Sequence, residues 1–181
     1  LTTELFQLFI PGDYVCLVGV TRQEVGGSEW ARVTGFEGGV IPKVDPEVAI
    51  ATHRGVARCF KNGWVRAAHD VSEGGLAVAL AEMAFAGGLG LNVILRETAV
   101  VKSLTGEAAL LFSETPSRYL LEVKERDMYN VEKELTETVP KAWIGQVNKS
   151  GKLDVIGRGA GKVMSVPLEE LKAAWQGTLK W

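Results

Sequence analysis

The sequence predicts an α+β fold: a layered α/β/α domain whose sheet is mixed. Short β-rich apolar runs alternate along the chain with segments of helical periodicity, a pattern that layers helices over a sheet. Around residues 142–166 strand-like runs follow one another across short turns, so hairpin neighbours join the sheet. Hydrophobic residues make up 46% and charged residues 23% of the 181 positions, globular values at a length that closes one core.

Leu1 is not an initiator methionine, so a piece of a longer chain is expected, with residues 1–11 as a connector and 12–181 as one domain. Residues 14–20 form an apolar β-rich run and a central strand. Residues 21–39 are rich in glycine and polar side chains, hence a loop with a short helix after Ser28. A long irregular stretch in a compact domain is usually functional or packed against something. Glu24 and Glu29 are expected in solvent, with Ser28 and Glu29 facing a ligand as the alternative.

Asp45 caps a helix that has Pro46 at its first position and ends at Gly63. Val48, Ala49, Val56, Ala57 and Phe60 supply its buried side, and His53 lies at the surface. Residues 64–68 read as a short buried strand. Leu76, Ala79, Leu80, Met83 and Ala84 recur at helical spacing, closed by Gly87 and Gly88, and residues 91–95 are the next strand. Residues 97–111 hold a connector and one short helix. A turn over 112–116 precedes a strand at 119–123, and 125–138 is a charged helix. Residues 142–147 and 153–156 are strands around the turn at 148–151. Residues 157–161 are a β-turn, since no phosphate-loop lysine pattern surrounds the glycines. Pro167 opens a last amphipathic helix with Leu168, Leu171, Trp175 and Leu179 on one side.

The net charge of −2 argues against a nucleic-acid surface, which needs a basic stripe. No apolar run reaches membrane-spanning length, because Glu82 interrupts the longest. No signal peptide is visible, and a cytoplasmic location is expected. Cys16 falls in a strand and Cys59 in a helix without ligand spacing, so both read as buried small hydrophobes in a reducing compartment. The two histidines make no metal cluster.

The chemistry concentrates in His69-Asp70-Val71-Ser72-Glu73-Gly74-Gly75-Leu76, a strand-to-helix turn. Ser72 is placed to cap the helix, and Gly74 and Gly75 let an anion approach the backbone at a helix start, where free N–H groups favour phosphate. Asp70, at the strand end, would meet a phosphate through Mg²⁺. An ordinary capped turn explains the same residues, and spacing alone leaves both readings open. Glu114 either contacts a ligand from its turn or stabilises that turn. Arg118 is read as partner to a neighbouring carboxylate, with a substrate clamp as the alternative.

Residues 69–83 resemble the signature of phosphoribosylformylglycinamidine synthase, the synthetase of purine biosynthesis. Three further segments agree in order. Gly12-Asp13 with Val15, Leu17 and Gly19, then Gly26-Gly27-Ser28-Glu29-Trp30, is similar to the start of that family's C-terminal domain. Leu111-Phe112-Ser113-Glu114 with Arg118 resembles its second motif, and Ile144-Gly145-Gln146-Val147 a strand near its end. The resemblance implies a partly ferredoxin-like sheet shared with aminoimidazole ribonucleotide synthetase. It also implies a ligase that joins ammonia from glutamine to formylglycinamide ribonucleotide at the expense of ATP, giving formylglycinamidine ribonucleotide. Ser72, Gly74, Gly75 and Glu114 would then contact nucleotide or phosphate, and Asp70 would hold Mg²⁺. No catalytic residue is assigned to this chain. The wording of the motifs looks like the second of two C-terminal copies, whose site holds an auxiliary nucleotide or nothing. The implied partners are the N-terminal domains of the same synthetase, a glutaminase subunit and a small accessory subunit, with neither nucleic acid nor membrane. The competing reading is a non-catalytic scaffold that packs against those partners. Selenophosphate synthetase and hydrogenase-maturation proteins have similar turns, but their second motifs do not read Phe-Ser-Glu.

Overall fold

Alternation along β1 (Tyr14–Val18) sets the layering: Val15 and Leu17 enter one core, and Cys16 and Val18 enter another on the opposite face. The structure, a computed structural model, describes residues 10–98, 100, 104, 106–135, 139–159 and 161–177. The larger core lies under α3 (Gly75–Gly87), α4 (Glu107–Phe112) and α6 (Leu168–Gly177). The smaller lies under α2 (Pro46–Lys61) and α5 (Met128–Glu134). A strand sandwiched between two helix layers has to be apolar on both sides, which is why residues 14–18 carry no polar alternation.

The sheet has seven strands in the order β2-β4-β1-β5-β3-β6-β7, with β2 at Val65–Asp70, β3 at Gly90–Ile94 and β4 at Tyr119–Val123. The remaining strands are β5 at Lys141–Asn148, β6 at Lys152–Ile156 and β7 at Lys162–Pro167. All neighbours run antiparallel except β3 and β6, which are parallel, so the expected mixed α+β sheet is present. Between β1 and β5 the register slips at Ile144, because Val15 pairs with Gly145 while Cys16 pairs with Trp143. That bulge lets Ile144 and Val147 reach the same core although they are three residues apart.

Three expectations change. The strands flanking residues 148–151 are not a hairpin, because β3 inserts between β5 and β6 and pairs with both. The hairpin of this region is β6–β7, turned at 157–161 where the Gly157 N–H donates to the Gly161 carbonyl at 2.8 Å. β7 is an edge strand, largely exposed, with a weak apolar pattern. Pro167 ends it instead of opening α6, a position an edge strand tolerates. On α2, Ala57 faces solvent and Thr52, Gly55 and Cys59 join Ala49 and Val56 inside. The buried stripe thus follows residues 49, 52, 56 and 59, the steps of three and four that keep to one helix face.

The start of α2 is as expected: the Asp45 carboxylate accepts from the Glu47 and Val48 N–H groups, both at 3.2 Å, with Pro46 first in the helix. The helix read over 125–138 is a 3₁₀ turn followed by α5. Residues 136–138, Leu179, residues 1–9 and parts of the 97–111 connector lie outside the described residues.

Cys16 and Cys59 are both fully buried in the smaller core. Burial pushes the Cys16 thiol up to about 12 and the Cys59 thiol up to about 11, and only a thiolate attacks a disulfide reagent. Native protein at pH 8 should leave both thiols unreacted with dithionitrobenzoate over the time in which urea-unfolded protein titrates two. A native thiol that reacts at the unfolded rate would refute this burial.

Candidate functional site

β2 delivers the chain at Asp70 to the turn 71–74, and α3 begins at Gly75. Ser72 does not cap the helix. The cap position is Gly74, in the left-handed region at φ 77°, and no side chain of the helix start bonds there. The Ser72 carbonyl instead accepts from the Gly75 N–H at 3.1 Å. The Gly74 N–H donates to Oε1 of Glu114 at 2.8 Å, and the same oxygen accepts from the Glu29 N–H at 2.9 Å. Glu29 is the first residue of α1 (Glu29–Thr34). One carboxylate therefore satisfies the starts of two helices, where partial positive charge favours an anion.

Gly75 has φ +68°, and a Cβ built on it would lie 2.6 Å from the Ser113 carbonyl oxygen and 2.8 Å from that of Leu111. The glycine is required because the end of α4 packs directly onto the start of α3.

The Glu114 turn is held by Arg118, whose side chain is 1% exposed. Its Nε donates to the Thr115 carbonyl at 2.9 Å, Nη2 to the Ser113 carbonyl at 2.5 Å and Nη1 to Oγ1 of Thr21 at 3.1 Å. Burial pushes the guanidinium down to about 10, against the opposing pull of Glu24 and Glu114. Arg118 thus binds backbone carbonyls and a threonine hydroxyl and feels the charges of Glu24 and Glu114 without a direct ion pair among the described residues, so its donors are committed inside the protein.

Glu24, expected in solvent, is buried. Its Oε1 accepts from the Lys43 N–H at 3.3 Å, and its backbone carbonyl takes the Glu114 N–H at 3.2 Å. Glu29 is partly exposed and pairs with Arg32, and the Ser28 hydroxyl, fully buried, caps α1 by accepting from Ala31 at 3.2 Å. The sequence held no signal for Glu24: a lone acid in a glycine-rich loop has no periodicity to report its burial.

These turns wall a cleft of ≈ 440 Å³. Asp70, Ser72 and Glu73 line one side, Glu114, Ser117 and Tyr119 the other, and Pro42 and His53 close the rim. Of the residues singled out from sequence, Asp70, Ser72 and Glu114 meet in this cleft, while Gly74 and Gly75 are buried beneath it. Asp70 is open to solvent, its side chain 57% exposed, and faces Tyr119 in the β2–β4 register. Burial, and then the Asp70 charge, raises the Tyr119 hydroxyl, which lies 2.7 Å from Nδ1 of His53. Sequence reading left His53 at the surface and missed this pairing, which joins residues 66 positions apart. Nδ1 of His69 lies 2.6 Å from the Asp70 carbonyl oxygen, and its Nε2 lies 3.2 Å from Glu82. Ser117, at φ 61°, is the non-glycine residue in the left-handed region among those described, a conformation that concentrates at ligand sites.

With Arg118 buried and committed, carboxylates dominate the cleft. Among the described residues no three His, Cys, Asp or Glu side chains converge on a metal position. Asp70 fits Mg²⁺ in one way only, as a single carboxylate on an ion that brings phosphate oxygens and waters with it.

Residues 11–158 match the family described as AIR synthase related protein, C-terminal domain. The chain belongs to this family. The AIR synthase-related domain is 40% identical over 158 residues to the subunit PurL of phosphoribosylformylglycinamidine synthase from Deinococcus radiodurans, a match over 86% of this chain and 20% of that protein. It is 38% identical over 170 residues to the same subunit from Cutibacterium acnes, over 91% of this chain and 21% of that protein. The chain thus spans about a fifth of the length of these curated relatives. In three dimensions it is similar to Thermotoga maritima PurL complexed with FGAR, with a TM-score of 0.80 at 20% identity over 92% of this chain and 29% of that one. Hydrogenase maturation protein HypE shares the fold at a TM-score of 0.65 and 17% identity, over 92% of this chain and 57% of that one. The AIR synthase-related fold carries the expected layered sheet, and no helix among the described residues is long and apolar enough to cross a membrane.

Proposed function

We propose that this AIR synthase-related domain is the C-terminal part of a phosphoribosylformylglycinamidine synthase and walls a Mg–nucleotide cleft there. The observation that carries the reading is the acidic cleft itself, where Asp70 and Ser72 leave the strand-to-helix turn opposite the Glu114 turn. In the proposed reaction ATP phosphorylates the amide oxygen of formylglycinamide ribonucleotide. Ammonia then displaces phosphate, giving formylglycinamidine ribonucleotide, ADP and phosphate. A magnesium ion there would neutralise phosphate charge.

The protein's own contribution is positional. Asp70 offers the carboxylate, and the Ser72 hydroxyl offers a donor to a phosphate oxygen. Glu114 holds Gly74 in the turn that carries both, and a misplacement of about 1 Å costs about 10²-fold in rate. Ammonia from a glutaminase subunit, the small accessory subunit, the N-terminal domains and a cytoplasmic setting belong to the same proposal. The similarity to T. maritima PurL, for which a PurLQS structure exists, supports them.

One observation favours the scaffold reading: the Gly74 N–H is already occupied by Glu114, so the turn presents no free anion cradle at that group. Asp70 decides between the two. In a chimera of D. radiodurans PurL carrying this chain in place of its matching segment, calorimetry with Mg-ADP should show Asp70→Asn weakening affinity roughly tenfold or more. The thermal midpoint should stay within about 2 °C, because Asp70 is exposed. Unaltered affinity would leave the domain a scaffold, and the isolated chain should form no product in either case.

A further inference from the structure

Where β1, β5 and β3 lie side by side, Tyr14 pairs with Gln146 and Gln146 pairs with Asn92. Register partners share a face, so these three side chains stand in one row, on the face that Cys16 and Val18 take towards the smaller core. Trp143, the partner of Cys16, stands beside the row, and Arg96 follows the end of β3. Together with Met128 at the start of α5 they line a groove of ≈ 510 Å³, a size that takes a small molecule. The groove has no lining residue in common with the cleft at Asp70. The register slip between β1 and β5 lies at its floor, and bulges collect beside binding sites. Gly145 at the slip is required there, because a Cβ would lie 2.6 Å from the Asn92 carbonyl oxygen and part β3 from β5.

The groups along the groove are held in advance and differ in chemistry. The Trp143 indole N–H donates to Glu132 at 2.8 Å, and the Tyr14 ring meets the Trp143 ring edge-on with centroids 6.5 Å apart. An aromatic wall fixed in this way gives a planar ligand a surface to stack on at little cost in ordering. Gln146 commits its Nε2 donor to the Gly12 carbonyl at 3.0 Å, which leaves Oε1 as an acceptor. The exposed Asn92 amide supplies a donor and an acceptor beside it. Such an amide pair matches the edge of a nucleobase, as when Asn or Gln reads adenine. Arg96 is exposed, and the ion pairs of the described residues do not involve it. Its planar fork suits a phosphate. A nucleic-acid strand is a poor occupant, since Arg96 is the one cation on the lining and a strand needs a basic stripe.

We infer that this groove binds a nucleoside 5′-monophosphate, with Arg96 at the phosphate and Asn92 and Gln146 at the edge of the base. Binding here needs no metal, so the test is run on the 181-residue chain in EDTA, which withholds divalent ions from the Asp70 cleft. Titration with AMP, followed through the side-chain amide resonances of Asn92 and Gln146, should saturate with a Kd below about 1 mM. Arg96→Gln should weaken AMP about tenfold or more, because a charge-assisted pair is lost. Asn92→Ala, followed through Gln146, should weaken it about fivefold or more. Ribose 5-phosphate, which lacks the base, should bind the parent about tenfold or more weakly than AMP. Circular dichroism should stay the same in both variants, whose changed side chains are exposed. No saturation by about 5 mM AMP, an affinity indifferent to Arg96→Gln, or ribose 5-phosphate binding as tightly as AMP would each overturn the proposal.

Discussion

Replacing Arg118 with leucine should lower the thermal midpoint of this domain by about 10 °C. The side chain is buried, its charge is drawn on by Glu24 and Glu114, and its three nitrogens serve two carbonyls and a threonine hydroxyl. Leucine fills much of the aliphatic volume but leaves those three acceptors without their donors and removes the positive charge that offsets Glu24 and Glu114. Removing one side of a buried charge cluster typically costs about 3–5 kcal/mol. For a domain of this size each kcal/mol is about 2–4 °C. Arg118→Lys should fall in between, because an ammonium keeps the charge but cannot span three acceptors with a planar fork. Differential scanning calorimetry of the three proteins checks the order, and a leucine variant as stable as the parent would remove Arg118 from this role.

The second large effect is expected at Gly75. Alanine there has to adopt φ +68° and place its Cβ within 2.8 Å of three backbone atoms of residues 111–113. Left-handed strain costs about 1–2 kcal/mol, and overpacking against atoms that cannot swing aside adds about 1–3 kcal/mol. A loss of about 3 kcal/mol follows. Gly74 makes the control. It shares the positive φ, but its added Cβ meets the side chain of Val78 within α3 (Cγ2, and Cβ at 2.9 Å) and no backbone of another element. Gly74→Ala should therefore lose less than Gly75→Ala in urea unfolding. The reverse order would mean that strain, and not the contact between α3 and α4, dictates glycine at this turn.

Much of the architecture was legible in the sequence because it rests on local physics. The alternation of β-rich and helical periods, the Asp45-Pro46 start of α2 and the strand-turn-helix at residues 64–84 depend on neighbours a few positions apart, and they stand in the structure as read. Motif order likewise located the family, since several short segments in sequence are jointly specific. Strand neighbours were not legible in this way. β3 and β5 are some fifty residues apart, and nothing near residues 148–151 reports that a third strand comes between.

The turn at residues 70–75 divides along the same line. Its residues determined by themselves that a strand end, two glycines and an apolar helix meet there, because glycine conformation and helix periodicity are properties of the local chain. Tertiary structure alone decided what fills the helix start. Ser72 is the nearest candidate in sequence, yet no side chain caps the helix there, and Glu114 arrives from forty residues downstream to take the Gly74 N–H. The same holds for Glu24, solvated by composition but buried in the fold, where the Lys43 N–H bonds it and the Arg118 charge acts on it. A charge accepts burial only where folding brings its partners to it, and those partners belong to other elements of the fold.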